Sequence, residues 1–584
     1  VAEIGPKGAP RIAIAAAKGV TPALSFATAP DGSIAIVDGE VYAGLDGASP
    51  AAALLARFRA HGIECLKGVE AAAGFVIADA QTGAVHLARD RAGLTPIYHA
   101  RIGKCFAAAA DIETLIAMGA PIDPDLLTAD FFLGKGYAVA PWSFLRAARK
   151  VRPGHVFTHR AGVAPRELRY AFLKLRPKID ATVEEAANGL DERLRAAVDR
   201  RLEHTGRLGM LLSGGVDSAL IMALVARRAS QPMLAVTFRY SDYEGPFNEE
   251  GRASAVVRHT GGEHCLLDCT PRHISDHLSE LVALYGEPFS YGLHSAALSA
   301  VAGKDAGVFF TGVGADVSNI SRFSQIALMM NQLPRPVRGA LGRSAKLATK
   351  LPGLADPRLR ALHWAAEHGL PARYSLDVLS IDERTQLYGG GARAHEGDRA
   401  AVALLQEAHG EFGEADEVDR LRLLHERTFA AECLFAWNTA WSRAYGLSIR
   451  HPYTDESVKE YLMQLAGVSV KKPVIRELAA RYLPPSASGA PKVFQTIPVG
   501  HWFRGPLRNF VRDRLSPARL ARRGIFDGAA VTRLIEEHES GKRDRTWGIW
   551  GLLTLDAWTE NAAAIKPIAF DGMDRAAAGE SVPS

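Results

Sequence analysis

A run of six residues in the middle of the chain, Ser213-Gly214-Gly215-Val216-Asp217-Ser218, combines groups that bind phosphate. The two glycines allow the backbone to approach an anion closely, and the two serine hydroxyls can donate hydrogen bonds. The carboxylate of Asp217 can hold a magnesium ion against pyrophosphate. No Gly-Lys-Ser/Thr follows, so this is not the loop that cradles β- and γ-phosphates. The run predicts a different kind of phosphate site, and the alternative is a glycine-rich turn that only closes a strand.

The elements around this run are those that a phosphate site needs. An apolar strand is predicted at residues 208–212 and a helix at residues 219–228. The N-terminus of that helix adds unpaired N–H groups and the positive end of its dipole. Further strands are predicted at residues 233–238 and 308–310, and the chain is mostly helical from Asp382 onward. A strand–helix–strand order predicts a parallel α/β sheet.

The first part of the chain has a different pattern of predicted elements. Short strands are predicted at residues 33–37, 74–78 and 84–88, with a helix at residues 51–60 and a hairpin turn at Asp38-Gly39. The chain is therefore predicted to be a two-domain α/β protein. The first domain is placed at residues 1–165, the linker at 166–183, the second domain at 184–565 and a loose tail at 566–584.

Composition excludes several classes of protein. The 69 basic and 64 acidic residues give a net charge of only +5 over 584 residues, which argues against an acidic tail protein and a dedicated nucleic-acid binder. No apolar run is long enough to span a bilayer, so no membrane partner is expected. The five cysteines are far apart and odd in number, which argues against a disulfide framework and favours the cytoplasm.

The six-residue run resembles the SGGxDS loop of ATP pyrophosphatases, which adenylate a carboxylate and release pyrophosphate. The segment Thr311-Gly312-Val313-Gly314-Ala315-Asp316 resembles the second magnesium loop of asparagine synthetases. This resemblance implies ATP and Mg²⁺ as cofactors and makes Asp217 and Asp316 the two metal ligands. Taken alone, Asp316 also fits an ordinary turn.

Other segments resemble the same superfamily in the same order, across residues 34–160 and 185–510. They are Asp38-Gly39-Glu40-Val41-Tyr42, Arg89-Asp90-Arg91, Glu287-Pro288-Phe289, Arg450-His451-Pro452-Tyr453-Thr454-Asp455 (Arg-x-Pro-Phe-Leu-Asp in the family), Lys472 with Arg476, and the lysine loop at Lys492. The resemblance implies an N-terminal glutaminase-like αββα sandwich of the Ntn type. It also implies a C-terminal synthetase domain like the adenine-nucleotide α-hydrolases.

The resemblance also assigns roles to residues. It implies adenine against the backbone near Leu212 and Val236, and phosphates on Ser213, Gly214, Gly215, Val216, Asp217 and Ser218, with Thr311 and Gly312 beside them. Lys492 is the candidate that stabilises an oxyanion or the pyrophosphate. Lys472 is a second candidate, for which a solvent-facing position on a helix is the alternative.

The chain departs from asparagine synthetases at several positions. A glutaminase of this type needs an N-terminal cysteine, whereas this sequence begins Val1-Ala2-Glu3 and its first cysteine is Cys65. The first domain is therefore expected to be a scaffold without ammonia-releasing activity. Val313 stands where asparagine synthetases have Glu and β-lactam-forming relatives have Tyr, and Ser448 replaces the Glu before Arg-x-Pro. The polar side chain that asparagine synthesis or β-lactam formation would use at position 313 is therefore missing here.

The lasso peptide cyclases resemble this chain better, because they keep both domains and use no glutamine. They adenylate an Asp or Glu side chain of a precursor peptide, whose N-terminal amine then closes a macrolactam. The predicted partners are this core peptide, a leader peptidase and a leader-binding protein. Residues 318–428 suit a large substrate, although a solvated basic helix pair is the alternative; their basic residues include Arg335, Arg338, Arg343, Lys346, Lys350, Arg358 and Arg360.

Two alternatives stay open. The first keeps the enzyme class but changes the acceptor, as in a small-molecule amide or β-lactam synthetase or an ammonia-dependent asparagine synthetase. The second is a non-catalytic scaffold that binds nucleotide and a maturation protein.

Overall fold

The structure is a computed structural model of the chain. It describes residues 2–4, 12–14, 24–47, 49–171, 173–202, 206–243, 245, 249–290, 306–315, 322–348, 357–369, 378–389, 393–413, 415–465, 471–488 and 497–566. Apart from Lys566, the predicted tail lies outside these residues.

The described strands fall into two groups, before and after residue 170. The first group is β1 (Ala2–Ile4), β2 (Ile12–Ile14), β3 (Leu24–Thr28), β4 (Ile34–Ala43), β5 (Glu70–Asp79), β6 (Ala84–Arg89), β7 (Tyr98–Ile102), β8 (Cys105–Ala109), β9 (Ala148–Lys150), β10 (His155–Arg160) and β11 (Val163–Arg169). The second group is β12 (Arg207–Leu211), β13 (Leu234–Arg239), β14 (Glu263–Asp268), β15 (Ala306–Thr311) and β16 (Ser448–Arg450).

The described helices are concentrated in the second part of the chain. They are α1 (Pro50–His61), α2 (Ile112–Ala117), α3 (Leu126–Lys135), α4 (Val183–Asp199), α5 (Val216–Ala226), α6 (Glu250–Thr260), α7 (Arg272–Ser275), α8 (Leu278–Tyr285), α9 (Arg322–Asn331), α10 (Arg335–Ala348), α11 (Pro357–His368), α12 (Ile381–Leu387), α13 (Arg393–Gly410), α14 (Glu417–His425), α15 (Ala436–Ala444), α16 (Glu456–Gln464), α17 (Lys471–Tyr482), α18 (Pro485–Ser488), α19 (Val499–Arg504), α20 (Arg508–Arg514), α21 (Pro517–Arg523), α22 (Gly528–Glu539) and α23 (Thr546–Ala564). A π-helix, Glu426–Phe435, joins α14 to α15.

The first domain stacks two antiparallel sheets between helices. One sheet has the order β11-β10-β6-β5-β4-β3 and the other the order β8-β7-β9. Residues on one face of β5, including Phe75 and Ile77, pack under α1, whereas Val76 points to the other face, as the period of a strand requires. The smaller sheet covers that second face, and α2 packs on the far side of the smaller sheet.

The hairpin predicted at Asp38-Gly39 is wrong, because β4 runs straight through these residues. Gly39 has φ of +131° and lies opposite Ala73 of β5. A Cβ atom at Gly39 would lie only 2.1 Å from the carbonyl oxygen of Ala72. The glycine is therefore needed for a close approach of two strands and not for a turn.

The predicted start of the linker also needs correction. The edge strand β11 pairs with β10 as far as Arg169, so the sheet extends four residues past the predicted boundary at residue 165. The charged texture of this strand resembles a linker because an edge strand exposes most of its side chains to water.

The second domain is built on a parallel sheet, as the strand–helix–strand pattern predicts. Its described strands have the order β14-β13-β12-β15-β16 and pair in parallel. One face packs against α4, α5, α6 and α17, and the other against α8 and the C-terminal helices α19–α23. The second core continues into α2 and α3 of the first domain, so the two domains share one apolar core. In the described part of the chain, no helix combines the length and apolarity that crossing a membrane would require.

Candidate active site

The Ser213–Ser218 run lies at the point where the order of the parallel sheet reverses. From β12 the chain proceeds to β13 and β14 on one side, and then β15 is added on the other side of β12. The carboxyl ends of β12 and β15 are therefore neighbours, with Leu211 opposite Thr311. In open α/β sheets this switch point is where ligands bind.

The loop after β12 is held by its own serines. The hydroxyl groups of Ser213 and Ser218 are 3.1 Å apart, and Ser218 Oγ donates to the carbonyl of Gly215 at 3.1 Å. Gly215 is the N-cap of α5, yet no side chain caps the helix. The N-terminus of a helix presents backbone N–H groups and the positive end of the helix dipole, which suits an anion.

Gly312 brings the loop after β15 into direct contact with this first turn. A Cβ atom at Gly312 would lie 2.4 Å from the backbone nitrogen of Ser218 and 2.8 Å from the carbonyl carbon of Asp217. Any larger residue would push the two loops apart. The structure thus brings Ser213–Ser218, Thr311 and Gly312 together, whereas their binding of a nucleotide stays a prediction.

The carboxylate of Asp217 is half-buried in the first turn of α5. Its predicted partner Asp316 lies outside the described residues, as does Lys492. Lys472 lies in α17, but its side chain is not described. Among the residues that are described, no group of three or more His, Cys, Asp or Glu side chains is placed to hold a metal. The two-carboxylate magnesium site therefore remains a prediction.

The predicted adenine contacts are already engaged within the sheet. The backbone N–H of Leu212 donates to the carbonyl of Val236 at 2.9 Å, and the carbonyl of Leu212 accepts from the hydroxyl of Thr237 at 2.9 Å. Leu212 and Val236 are both buried. Adenine recognition at these two residues also remains a prediction.

A buried lysine that sequence reasoning missed holds the second loop. Lys459 Nζ donates to the carbonyl oxygen of Gly314 at 2.9 Å and is fully buried. The same ammonium group forms an ion pair with Glu426, the first residue of the π-helix. This pair fixes the loop from beneath, two residues before Asp316. Little in the sequence signals this role, because Lys459 is one of several polar residues in α16.

The first domain contributes acidic residues to arginines of the second. Glu40 accepts from Arg450 at 2.7 Å, and Asp38 pairs with Arg443. Although burial opposes ionisation of Glu40, its hydrogen bond with Arg450 keeps the pKa below the usual value. Two side chains of the Asp38-Gly39-Glu40 segment are therefore used to join the domains.

A second ionic cluster lies wholly inside the domain interface. Glu432 accepts from Arg89 at 2.7 Å and from Lys150 at 3.2 Å, and Lys150 also contacts Glu287 at 2.7 Å. Arg89, Lys150 and Glu432 are nearly inaccessible to water. Burial raises the pKa of Glu432, but the charges of Arg89 and Lys150 outweigh burial and lower it overall. Removing one partner of a buried ion pair leaves a buried charge without its counter-charge, so this cluster requires both domains.

Two further side chains bear on the acceptor chemistry. Val313 packs against an apolar cluster of Leu94, Ala430 and Phe435, where the two domains meet. Cys65 is completely buried, and burial raises the pKa of its thiol to about 12. A thiol with that pKa is a poor nucleophile near neutral pH.

Comparison with known proteins adds an independent observation. Residues 189–560 match the family described as asparagine synthase, and residues 43–170 match the family described as glutamine amidotransferase domain. A Mycobacterium tuberculosis protein named as a glutamine-hydrolysing asparagine synthetase is 24% identical over 575 residues, or 91% of this chain and 84% of that protein. The glutamine-hydrolysing asparagine synthetase of Pongo abelii is 27% identical over 326 residues, or 54% of each chain.

Among solved structures, a glutamine phosphoribosylpyrophosphate amidotransferase from B. subtilis, complexed with ADP and GMP, overlaps 41% of this chain and 62% of its own. The identity is 10% and the TM-score 0.18, which is too low to support a structural argument.

Proposed function

Since the chain belongs to the asparagine synthase family of ATP-dependent ligases, we propose that it adenylates an Asp or Glu side chain of a precursor peptide and closes a macrolactam with the peptide's N-terminal amine. The general activity, an ATP-dependent amide-forming ligase like asparagine synthetase, follows from the family. The peptide substrate, which would make the protein a lasso peptide cyclase, is the proposal.

The observation that carries the choice of substrate is the environment of Val313. Small-molecule relatives have a Glu or Tyr at this position in the resemblance described above. Here the side chain is apolar and packs against Leu94, Ala430 and Phe435. A valine can neither move a proton nor donate a hydrogen bond, so the acceptor amine must be positioned by other means. A peptide that folds its own amine against its activated carboxyl meets that need through proximity.

The exposed helix α10 supports a large substrate. Arg335 and Arg343 are exposed there beside the apolar side chains of Val337, Leu341 and Leu347, which is an unusual surface for a soluble domain. Of the basic residues named for this segment, Lys350 lies outside the described residues.

The residues of the chain fit the phosphate chemistry. The uncapped N-terminus of α5 and the Ser213 and Ser218 hydroxyls would hold the phosphates, and Asp217 with Asp316 would hold magnesium. Magnesium, when bound, neutralises negative charge on the departing pyrophosphate. The substrate carboxylate attacks the α-phosphorus, and the acceptor amine then displaces AMP. Lys492 is the proposed stabiliser of the oxyanion, with Lys472 as the second candidate.

The first domain is proposed to be a scaffold in this reaction. Its layers of helix, sheet, sheet and helix support an Ntn-type sandwich, and the parallel sheet of the second domain supports an adenine-nucleotide α-hydrolase-like fold. Burial of Cys65 and the use of Asp38 and Glu40 in the interface support the absence of glutamine chemistry within residues 24–171.

A glutamine- or ammonia-dependent synthetase is the second candidate. The observation that favours it is the match over most of the chain to relatives that are named as glutamine-hydrolysing asparagine synthetases. A leader peptidase and a leader-binding protein are expected partners only under the first candidate.

The experiment compares acceptors directly. The protein is incubated with ATP, Mg²⁺ and either aspartate plus ammonia, aspartate plus glutamine, or a precursor peptide that has a free N-terminal amine and an Asp or Glu several residues inward. The proposal expects loss of one water from the peptide for each AMP formed. Acetylating the amine should stop ring closure but leave AMP formation. Asparagine formation from free aspartate, with no change in any peptide, would contradict it.

A further inference from the structure

Tyr453 carries a hydroxyl group that the folded chain leaves without a partner. The residue is completely buried, and its hydroxyl forms no hydrogen bond with any residue that the structure describes. Buried polar groups are nearly always paired, so an unpaired one needs an explanation. The sequence sharpens the question, because the segment resembles Arg-x-Pro-Phe-Leu-Asp and this chain has Tyr in place of Phe. The family motif therefore predicts an aromatic ring at position 453, and the hydroxyl group is an addition in this chain.

The position of Tyr453 links it to both loops of the candidate site. It lies in the short turn Pro452–Thr454 that follows β16, and β16 pairs with β15. A Cβ atom at Gly314 would be 3.3 Å from the Cβ of Tyr453, so the residue packs directly against the second loop. Gly312 of the same loop contacts Asp217 and Ser218. The tyrosine therefore lies behind the contact between the two loops.

Electrostatics locates the hydroxyl relative to Asp217. Burial and the negative charge of Asp217 together raise the pKa of Tyr453 well above its ordinary value. Asp217 is thus close enough for its charge to act on the phenol. A phenol hydroxyl can donate one hydrogen bond and can also accept one.

We propose that Tyr453 is a further ligand-contacting residue of this site, whose hydroxyl donates a hydrogen bond to the magnesium–pyrophosphate group bound beside Asp217. This inference rests on the proposed function, since it requires pyrophosphate at the Ser213–Ser218 loop. It explains why the hydroxyl is unpaired in the chain alone, because its acceptor arrives with the ligand. It also explains why the apolar position of the family carries a polar atom here.

The variant Tyr453→Phe tests the proposal and has little risk of misfolding, because it keeps the aromatic ring and introduces the residue of the family motif. Binding of magnesium pyrophosphate to the full chain is measured by calorimetry, and stability is measured by urea unfolding without ligand. We expect affinity to fall roughly tenfold or more, since a hydrogen bond to a charged group is lost. We expect stability without ligand to stay unchanged or to rise, because no bond of the chain itself is lost.

Tyr461→Phe is the matched control. Tyr461 belongs to the same apolar cluster, but its hydroxyl donates to the carbonyl of Ala186 at 3.2 Å. Its removal should lower stability and leave pyrophosphate affinity unchanged, which is the opposite pattern.

Two results would overturn the proposal, and they differ. If Tyr453→Phe binds magnesium pyrophosphate as tightly as the unaltered protein, the hydroxyl does not contact the ligand, and the proposed function still stands. If the unaltered protein neither binds magnesium pyrophosphate nor forms AMP with any acceptor, both the proposed function and this inference fail.

Discussion

At the scale of single residues, the proposed phosphate site depends on side chains that differ in what they contribute. The serines of the Ser213–Ser218 loop bond to one another and so shape the loop before any ligand binds. In the proposed site, Asp217 would add the negative charge that a metal requires. Its position in the first turn of α5 means that it can be altered without disturbing the buried part of the helix.

Asp217→Ala should abolish AMP formation while the fold is kept. Loss of a metal carboxylate is expected to lower the rate by on the order of a thousandfold or more. Asp382→Ala is the matched control, because Asp382 is also an acid in the first turn of a helix but is exposed. AMP release and circular dichroism are measured for both. Near-normal AMP release by Asp217→Ala would contradict the metal role.

His451 predicts how stability depends on pH. The ring is fully buried, and burial, together with the charges of Arg201 and Lys459, lowers its pKa to about 3. The unfolded chain takes up a proton near the ordinary histidine pKa, whereas the folded chain does not. The contribution of neutral His451 to stability is therefore fully present above the ordinary histidine pKa, and it is lost as the pH falls from there towards 3.

Between about pH 7.5 and pH 5.5, His451 alone should reduce the free energy of unfolding by about 1.4 kcal/mol. Urea midpoints at the two pH values measure this loss. His451→Gln should remove that part of the pH dependence, and Gln can still accept from Asn438 as the ring does at 3.0 Å. An unchanged slope in His451→Gln would refute the assignment.

At the scale of elements, the second loop depends on a helix and a π-helix that are distant in sequence. Lys459 of α16 and Glu426 of the π-helix meet beneath Gly314. Neither residue is placed to touch the phosphates in the arrangement proposed. Their contact with Gly314 holds the loop that contains Gly312.

Lys459→Met should therefore lower both the stability of the chain and its affinity for magnesium ATP. Removing one partner of a largely buried ion pair is expected to cost about 3 kcal/mol of stability. Affinity for magnesium ATP should fall roughly ten- to a hundredfold, as when a supporting contact of a ligand site is removed. Calorimetry and urea unfolding separate the two effects.

The double variant Lys459→Met, Glu426→Gln distinguishes positioning from mere stability. It should recover part of the stability, because no charge is left unpaired in the interior. It should not recover the affinity, because Gly314 still lacks its donor. Recovery of both together would show that the lysine matters only for stability.

At the scale of the whole molecule, the first domain is tied to the second by buried charges. Glu432 lies between Arg89 and Lys150, and Glu40 and Glu70 of the first domain reach Arg450 and Arg201 of the second. The domains also share one apolar core. A domain proposed to have no glutamine chemistry can therefore still contribute to the stability of the whole chain.

Glu432→Gln should destabilise the entire chain, because it leaves Arg89 without its buried counter-charge. The expected loss is about 3–5 kcal/mol, and both domains should unfold in one transition. Glu407→Gln is the control, since Glu407 also joins the domains, through Arg152 at 2.9 Å, but is 56% exposed. The loss of stability in Glu407→Gln should stay below about 1 kcal/mol. Equal urea midpoints for the two variants would contradict the importance of the buried cluster.

The sequence by itself determined the glycine-rich loop between β12 and α5, the parallel sheet and the family resemblance. Each depends on residues that are close along the chain: the Ser213–Ser218 run is a local motif, and β12 and α5 follow from local periodicity. The same local reasoning misread Asp38-Gly39 as a turn, because the reason for the glycine is the neighbouring strand at Ala72.

Only the tertiary structure decided which distant side chains meet. Glu40 and Arg450 are 410 residues apart, and Lys459 and Gly314 are 145 apart, so no spacing in the sequence announces either contact. The unpaired hydroxyl of Tyr453 could likewise be recognised only when all its neighbours were in place. Periodicity predicts which face of an element is buried, but not what it is buried against, because that depends on how the elements pack.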